Sequence, residues 1–201
     1  MINTVAILET VSYFISSKIT NHRLMVELEH ASRHDALTGL HNRNACMEKI
    51  DFLTKYSSSV GIVYADVNGL KEINDTLGHQ AGDAALRQAA RLLTKCYGLE
   101  NTYRIGGDEF LVLVPLVTEL DFKTSVCRLR ELVAGKADLS IAIGSEWVAD
   151  TAHLERVITK TDQRMYCDKV EYYNRRGKKR ETRHDLNDFR RMAAKSLPIA
   201  D

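Results

Sequence analysis

Arg104-Ile105-Gly106-Gly107-Asp108-Glu109-Phe110 is the stretch that decides the fold of this 201-residue chain. Two glycines and two acids stand between Ile105 and the apolar run Phe110-Leu111-Val112-Leu113-Val114. That pattern predicts a β-hairpin over about 102–114, with Gly-Gly-Asp-Glu at its tip and Pro115 ending the second strand. Gly106 and Gly107 let backbone approach a ligand with no Cβ in the way. Asp108 and Glu109 are the hard oxygen donors that a divalent cation takes. An ordinary tight turn with solvated acids has the same local pattern, so the surrounding chain has to separate the two readings.

Upstream, Val60 to Ala65 is a continuous apolar run ending in Asp66, which predicts a buried central strand. A carboxylate there is either a strand-end turn former or a ligand held on a rigid element. Val67-Asn68-Gly69-Leu70-Lys71 follows. A strand end, a small residue and a lysine can cradle a triphosphate through backbone N–H groups and one ammonium, although the G-x-x-x-x-G-K-[ST] loop is absent. Residues 68–82 read as turn chemistry around a short helical piece. Within them, Asn74 and His79, with Asp83 just beyond, could read a purine edge. Taken singly, Asp83 suits a helix N-cap, Asn74 a turn and His79 a structural role.

Helices are predicted over about 44–56, 83–96, 119–134 and 151–173, and a further strand over 139–148. Strands and helices mix without strict βαβ repetition. The expectation is an α+β domain with helices around a largely antiparallel sheet. Residues 1 to about 33 lack glycine and proline. Val5, Leu8, Val11, Ile15, Ile19, His22 and Val26 recur at three- and four-residue spacing, with Leu24, Leu28 and Ala31 beside them, so a long helix is predicted. Such a helix either pairs with a copy of itself or an upstream domain, or packs back on its own domain. The chain therefore divides into an N-terminal helix (1–33), an α+β domain (34–178) and a basic tail (179–201).

Composition narrows the class. Hydrophobic content of 44% and charged content of 27% suit a globular protein. The formal net charge of +1 provides no global field for nucleic acid, and no nucleic-acid partner is expected. Residues 175–195 carry nine Lys/Arg against three Asp/Glu, a local basic tail. Cys46, Cys96, Cys127 and Cys167 show no CxxC spacing and no His cluster completes a zinc site. Reduced thiols, no signal peptide and no run of about 20 apolar residues lead to the expectation of a cytoplasmic chain without a transmembrane segment.

Together Asp35 to Arg43, Asp66 to Asp83, Arg104 to Phe110 and Asp162-Gln163-Arg164-Met165-Tyr166-Cys167-Asp168-Lys169 resemble the GGDEF family of diguanylate cyclases, over about residues 33–178. The resemblance implies a fold similar to the nucleotide-cyclase and polymerase palm. It implies condensation of two GTP into cyclic di-GMP with loss of two pyrophosphates, across a homodimer in which each domain holds one GTP. It implies two Mg²⁺ or Mn²⁺ per active site, held by Asp66, the Val67 carbonyl, Asp108 and Glu109. Asp108 matches the residue assigned the proton-accepting role and Glu109 the adjacent motif acid. Lys71 matches a lysine on the phosphates that is proposed to stabilise the transition state, and Lys169 a triphosphate contact. Asn74 and Asp83 match the guanine-reading pair, His79 lies in the same substrate segment, and Gly106 and Gly107 belong to the substrate-binding tip. The N-terminal helix is similar to the connector that follows a sensory domain in many members, so an upstream sensor is expected.

Three departures stand out. Asn68, Gly69 and Leu70 replace an aspartate and aromatics common after the metal aspartate. The family's feedback site, Arg-x-x-Asp, falls on Tyr97-Gly98-Leu99-Glu100. A second basic phosphate contact falls on Tyr173. The alternatives to an active cyclase are a catalytically silent module that binds GTP or cyclic di-GMP, and a purely structural dimerisation module. Retention of Asp66, Gly106, Gly107, Asp108 and Glu109 favours the enzyme.

Overall fold

A computed structural model describes residues 4–56 and 58–177. The basic tail over 179–201 lies outside the described residues, as do the side chains of Val5, Leu8, Val26, Leu28 and Ala31. The chain order is α1 (Thr4–Arg33), α2 (Arg43–Tyr56), β1 (Val60–Val67), α3 (Leu70–Leu77), α4 (His79–Tyr97), β2 (Thr102–Arg104), β3 (Glu109–Pro115), α5 (Glu119–Ala134), β4 (Ile141–Val148) and α6 (Leu154–Arg175). A single 3₁₀ turn, Leu99–Asn101, joins α4 to β2.

The strands form one sheet in the order β2-β3-β1-β4 with every pairing antiparallel. β1 is buried along its whole length, as a continuous apolar strand flanked on both sides must be. Alternation sends Val63, Ala65, Val67, Phe110 and Val112 into the core beneath α4 and α5. Ile62, Tyr64, Leu111 and Leu113 go to the opposite face, under α2 and α6. The α6 helix lies directly on β4. A Cβ at Gly144 would come within 2.1 Å of the Thr161 carbonyl oxygen, so only glycine admits this approach. The α+β expectation and the hairpin are borne out.

Helix boundaries differ from expectation at two places. α4 begins at His79 rather than Asp83, because Gly78, with φ 84°, ends α3 and caps α4. Asp83 is thus inside the helix, and the N-cap reading of it is wrong. α6 begins at Leu154, three residues later than the sequence pattern gives, after a turn in which Asp150 Oδ1 accepts from the Ala152 N–H (2.9 Å).

Along α1 every side chain from Val11 to Met25 is exposed, including Val11, Tyr13, Phe14, Ile15, Ile19 and Leu24. That stretch covers no core of its own domain. Among the described residues no helix is long and apolar enough to cross a membrane.

Candidate active site

The site forms where the C-terminal end of β1 meets the tip between β2 and β3. Asp66 and Glu109 face each other in register across the β1–β3 ladder. The Val67 N–H donates to the Asp108 carbonyl (3.1 Å), which fixes the tip against the strand end. Inside the tip, the Glu109 carbonyl accepts from Ile105 N–H (3.0 Å) and Gly106 N–H (3.4 Å).

Lys169, from α6, reaches into this junction. Its ammonium is bonded to Asp66 and lies 3.6 Å from the Asp108 carboxylate. Asp66 is 2% exposed and Lys169 5% exposed. An unpaired carboxylate that deep would be strongly penalised, so the Lys169 ammonium offsets part of the cost of burying Asp66. Its neighbour Asp168 helps to fix α6 on the sheet: Oδ2 accepts from Ile143 N–H (2.8 Å), and Arg130 donates to the Ile143 carbonyl (2.8 Å). The Tyr64 hydroxyl donates to Glu109 Oε2 (3.4 Å). A Cβ on Gly106 would lie 2.8 Å from that same oxygen, whereas Gly107 faces open space.

The helical hairpin α3–α4 carries the other residues. Lys71 is exposed on the first turn of α3 and His79 on the first turn of α4. Asn74 lies across Gly82, where a Cβ would come within 2.0 Å of Oδ1. This close crossing puts Asn74 beside the turn of α4 that carries Asp83. Asp83 is about half exposed and has Arg87 at 3.9 Å.

Two contacts that the motif reading left without a role complete the tip. Arg104 Nη2 donates to the Gly107 carbonyl (2.7 Å), and Nη1 donates to Asp35. The Asp35 carboxyl is raised by burial but lowered more by hydrogen bonds from Thr38 and Arg104, so it sits below the usual carboxylate range. The presence of Asp35 and Arg104 in the two quoted motifs was the available signal.

The donors fit a hard divalent cation by type: all are oxygen, and the Asp66 and Asp108 carboxylates already converge on one cationic centre, the Lys169 ammonium. Among the described residues no three His, Cys, Asp or Glu side chains gather into a ready-made cage.

A sequence model of the diguanylate cyclase GGDEF domain matches residues 32–175. The uncharacterised protein YtrP of Bacillus subtilis is 31% identical over 172 residues, which cover 83% of this chain and 29% of that protein. Diguanylate cyclase DgcM of Escherichia coli K12 is 30% identical over 168 residues, covering 76% of this chain and 40% of that protein. The chain thus spans less than half the length of either relative. Among solved structures, the coiled coil and GGDEF domain of DgcB from Caulobacter crescentus, in complex with c-di-GMP, superposes with a TM-score of 0.72. It is 20% identical, with 82% of this chain and 95% of that one covered.

Proposed function

This chain belongs to the diguanylate cyclase GGDEF domain family, and from that premise we propose that it condenses two GTP into cyclic di-GMP, releasing two pyrophosphates. The observation that carries the reading is the convergence of Asp66, Asp108 and Lys169 at the end of β1, beside a tip whose acids are both retained.

Asp66, the Val67 carbonyl, Asp108 and Glu109 would hold Mg²⁺ or Mn²⁺. When bound, such ions neutralise the triphosphate and stabilise both the attacking and the leaving oxygen. Lys71 and Lys169 add positive charge for the phosphates. Phosphoryl transfer requires mostly positioning and charge neutralisation, which is what these side chains offer. Asp108 takes the proton of the 3′-hydroxyl. That oxygen bonds to the α-phosphorus of the other GTP, and the bond from phosphorus to the bridging oxygen of pyrophosphate breaks.

Asn74 and Asp83 select the base. Asp83 accepts from guanine N1–H and N2–H₂, donors that adenine lacks, and His79 lines the same segment. Gly106 and Gly107 let the tip backbone approach the nucleotide. Two domains must meet, one GTP in each. The exposed apolar residues of α1 supply the surface for a homodimer, and an upstream sensory domain would set their alignment.

The test is pyrophosphate release from GTP with Mg²⁺ or Mn²⁺. Asp108→Ala should lose it by at least a hundredfold, and near-normal release by that variant would remove Asp108 from the reaction.

A further inference from the structure

Among the described residues β4 is the last strand of the sheet, with β1 on one side and no strand on the other. Ile143 stands opposite Ala65 in the β1–β4 ladder, and Ala142 opposite Asp66. The Ile143 N–H and carbonyl turn outward, where a further strand would take both. Two side chains take them instead. Asp168 Oδ2, from α6, accepts from the N–H (2.8 Å), and Arg130 Nη2, from α5, donates to the carbonyl (2.8 Å). The Arg130 guanidinium and the Asp168 carboxylate lie 3.7 Å apart. Two helices on opposite faces of the sheet thus close around its edge. Two residues on, Arg164 Nη1 donates to the Ser145 carbonyl (3.0 Å) on the same side.

The clasp adjoins Gly144, where the Thr161 carbonyl leaves no room for a Cβ. That contact sets how near α6 lies to β4. It does not set how far the helix slides or turns along the strand, whereas a bond from one side chain to one backbone N–H does. Lys169 follows Asp168 directly, and its ammonium is bonded to Asp66, the partner of Ala142. The residue that registers the helix and the residue that reaches the buried carboxylate are therefore neighbours in α6. Their targets are neighbours in the ladder.

We infer that Asp168 is a positioning residue for Lys169: by holding the Ile143 N–H at the outer edge of β4, opposite Arg130, it sets the slide and turn of α6 at which the Lys169 ammonium meets both Asp66 and Asp108. The role in nucleotide binding rests on the proposed GTP site. The clasp itself does not.

The experiment compares Asp168→Ala, which removes the acceptor, with Asp168→Asn, which keeps an oxygen for the Ile143 N–H. Hydrogen exchange of the Ile143 amide, followed by NMR, reads the clasp. It should quicken about tenfold or more in Asp168→Ala and stay within about threefold in Asp168→Asn. Calorimetric titration with Mg²⁺ and 3′-deoxy-GTP, which lacks the attacking hydroxyl and cannot be condensed, reads the lysine. All titrations are run well below the melting point of every variant. Asp168→Ala should raise the Kd about tenfold, as loss of a hydrogen bond to a charged group does, and Asp168→Asn should bring it back to within about threefold. In a Lys169→Met background, Asp168→Ala should change the Kd by no more than about twofold, because its effect passes through the lysine. A tenfold loss that persists without Lys169 would mean that Asp168 only steadies the fold, and would overturn the inference. So would a Kd unchanged in Asp168→Ala, whatever the exchange shows. Failure of the unaltered chain to bind 3′-deoxy-GTP, with the Ile143 amide still protected, would overturn the proposed function and the positioning role with it.

Discussion

One guanidinium nitrogen of Arg104, Nη1, donates to both carboxylate oxygens of Asp35, at 2.9 and 3.1 Å. The other terminal nitrogen holds the Gly107 carbonyl. Arg104 therefore ties the turn that follows α1 to the tip that carries Asp108. A backbone bond from the Arg104 N–H to the His41 carbonyl (2.8 Å) makes a second link between the same turn and hairpin.

The Asp35 carboxyl lies below its usual range in the folded chain, so it stabilises the fold above the unfolded carboxyl's pKa. That stabilisation is lost as pH falls through the lower, folded value. Asp35→Asn should cost about 1–3 kcal/mol near pH 7. Chemical denaturation of both proteins should show the difference shrinking towards zero in acid. A difference independent of pH would mean that packing, not charge, holds the turn.

Lys169 sits between two carboxylates, one of them almost fully buried. Lys169→Met should destabilise the chain by roughly 3 kcal/mol or more, because it strands the Asp66 charge. Adding Asp66→Asn should restore most of that stability, with no cyclic di-GMP formed from GTP. Thermal melts of the single and double variants check this, and equal melting points for Lys169→Met and the unaltered chain would refute the pairing.

Asp83 lies within α4 rather than at its start, so its carboxylate is not spent as an N-cap. Asp83→Ala should weaken GTP binding and narrow the preference for GTP over ATP by about tenfold, matching the loss of a charge-assisted contact. Competition binding measures it, and an unchanged preference would remove Asp83 from base reading.

The hairpin and β1 were legible because their signals are local: contiguous apolar residues, a glycine pair and a closing proline. The start of α4 was not. Gly82 looks like a helix breaker, yet it lies inside the helix, because only a glycine there leaves room for Asn74. Gly78, four residues earlier, is the true break. The Lys169–Asp66 pair joins residues 103 apart, and Arg104–Asp35 joins residues 69 apart. No periodicity reports such pairings. The motifs named two of these four residues, Asp66 and Lys169, as site residues and passed over Asp35, Arg104 and the link between them.

Feedback by product should be weak. Tyr97 occupies the position where the family's feedback site has arginine, and its phenol is buried, with a pKa pushed up to about 12 by that burial. It offers no guanidinium fork for a phosphate. The Glu100 carboxylate folds back over Gly98, where a Cβ would lie 2.3 Å from Oε1. Cyclic di-GMP added at the GTP concentration should leave the initial rate within about twofold. Strong inhibition, relieved by Glu100→Ala, would show that this window still binds the dinucleotide.

The most direct test of the whole account is to incubate the chain with GTP and Mg²⁺, separate the products by chromatography and identify them by mass. The account predicts cyclic di-GMP, with two pyrophosphates for each dinucleotide, formed at a specific activity that rises with protein concentration as dimers assemble. Tight GTP binding with no dinucleotide at any protein concentration would contradict it and leave a silent nucleotide-binding module.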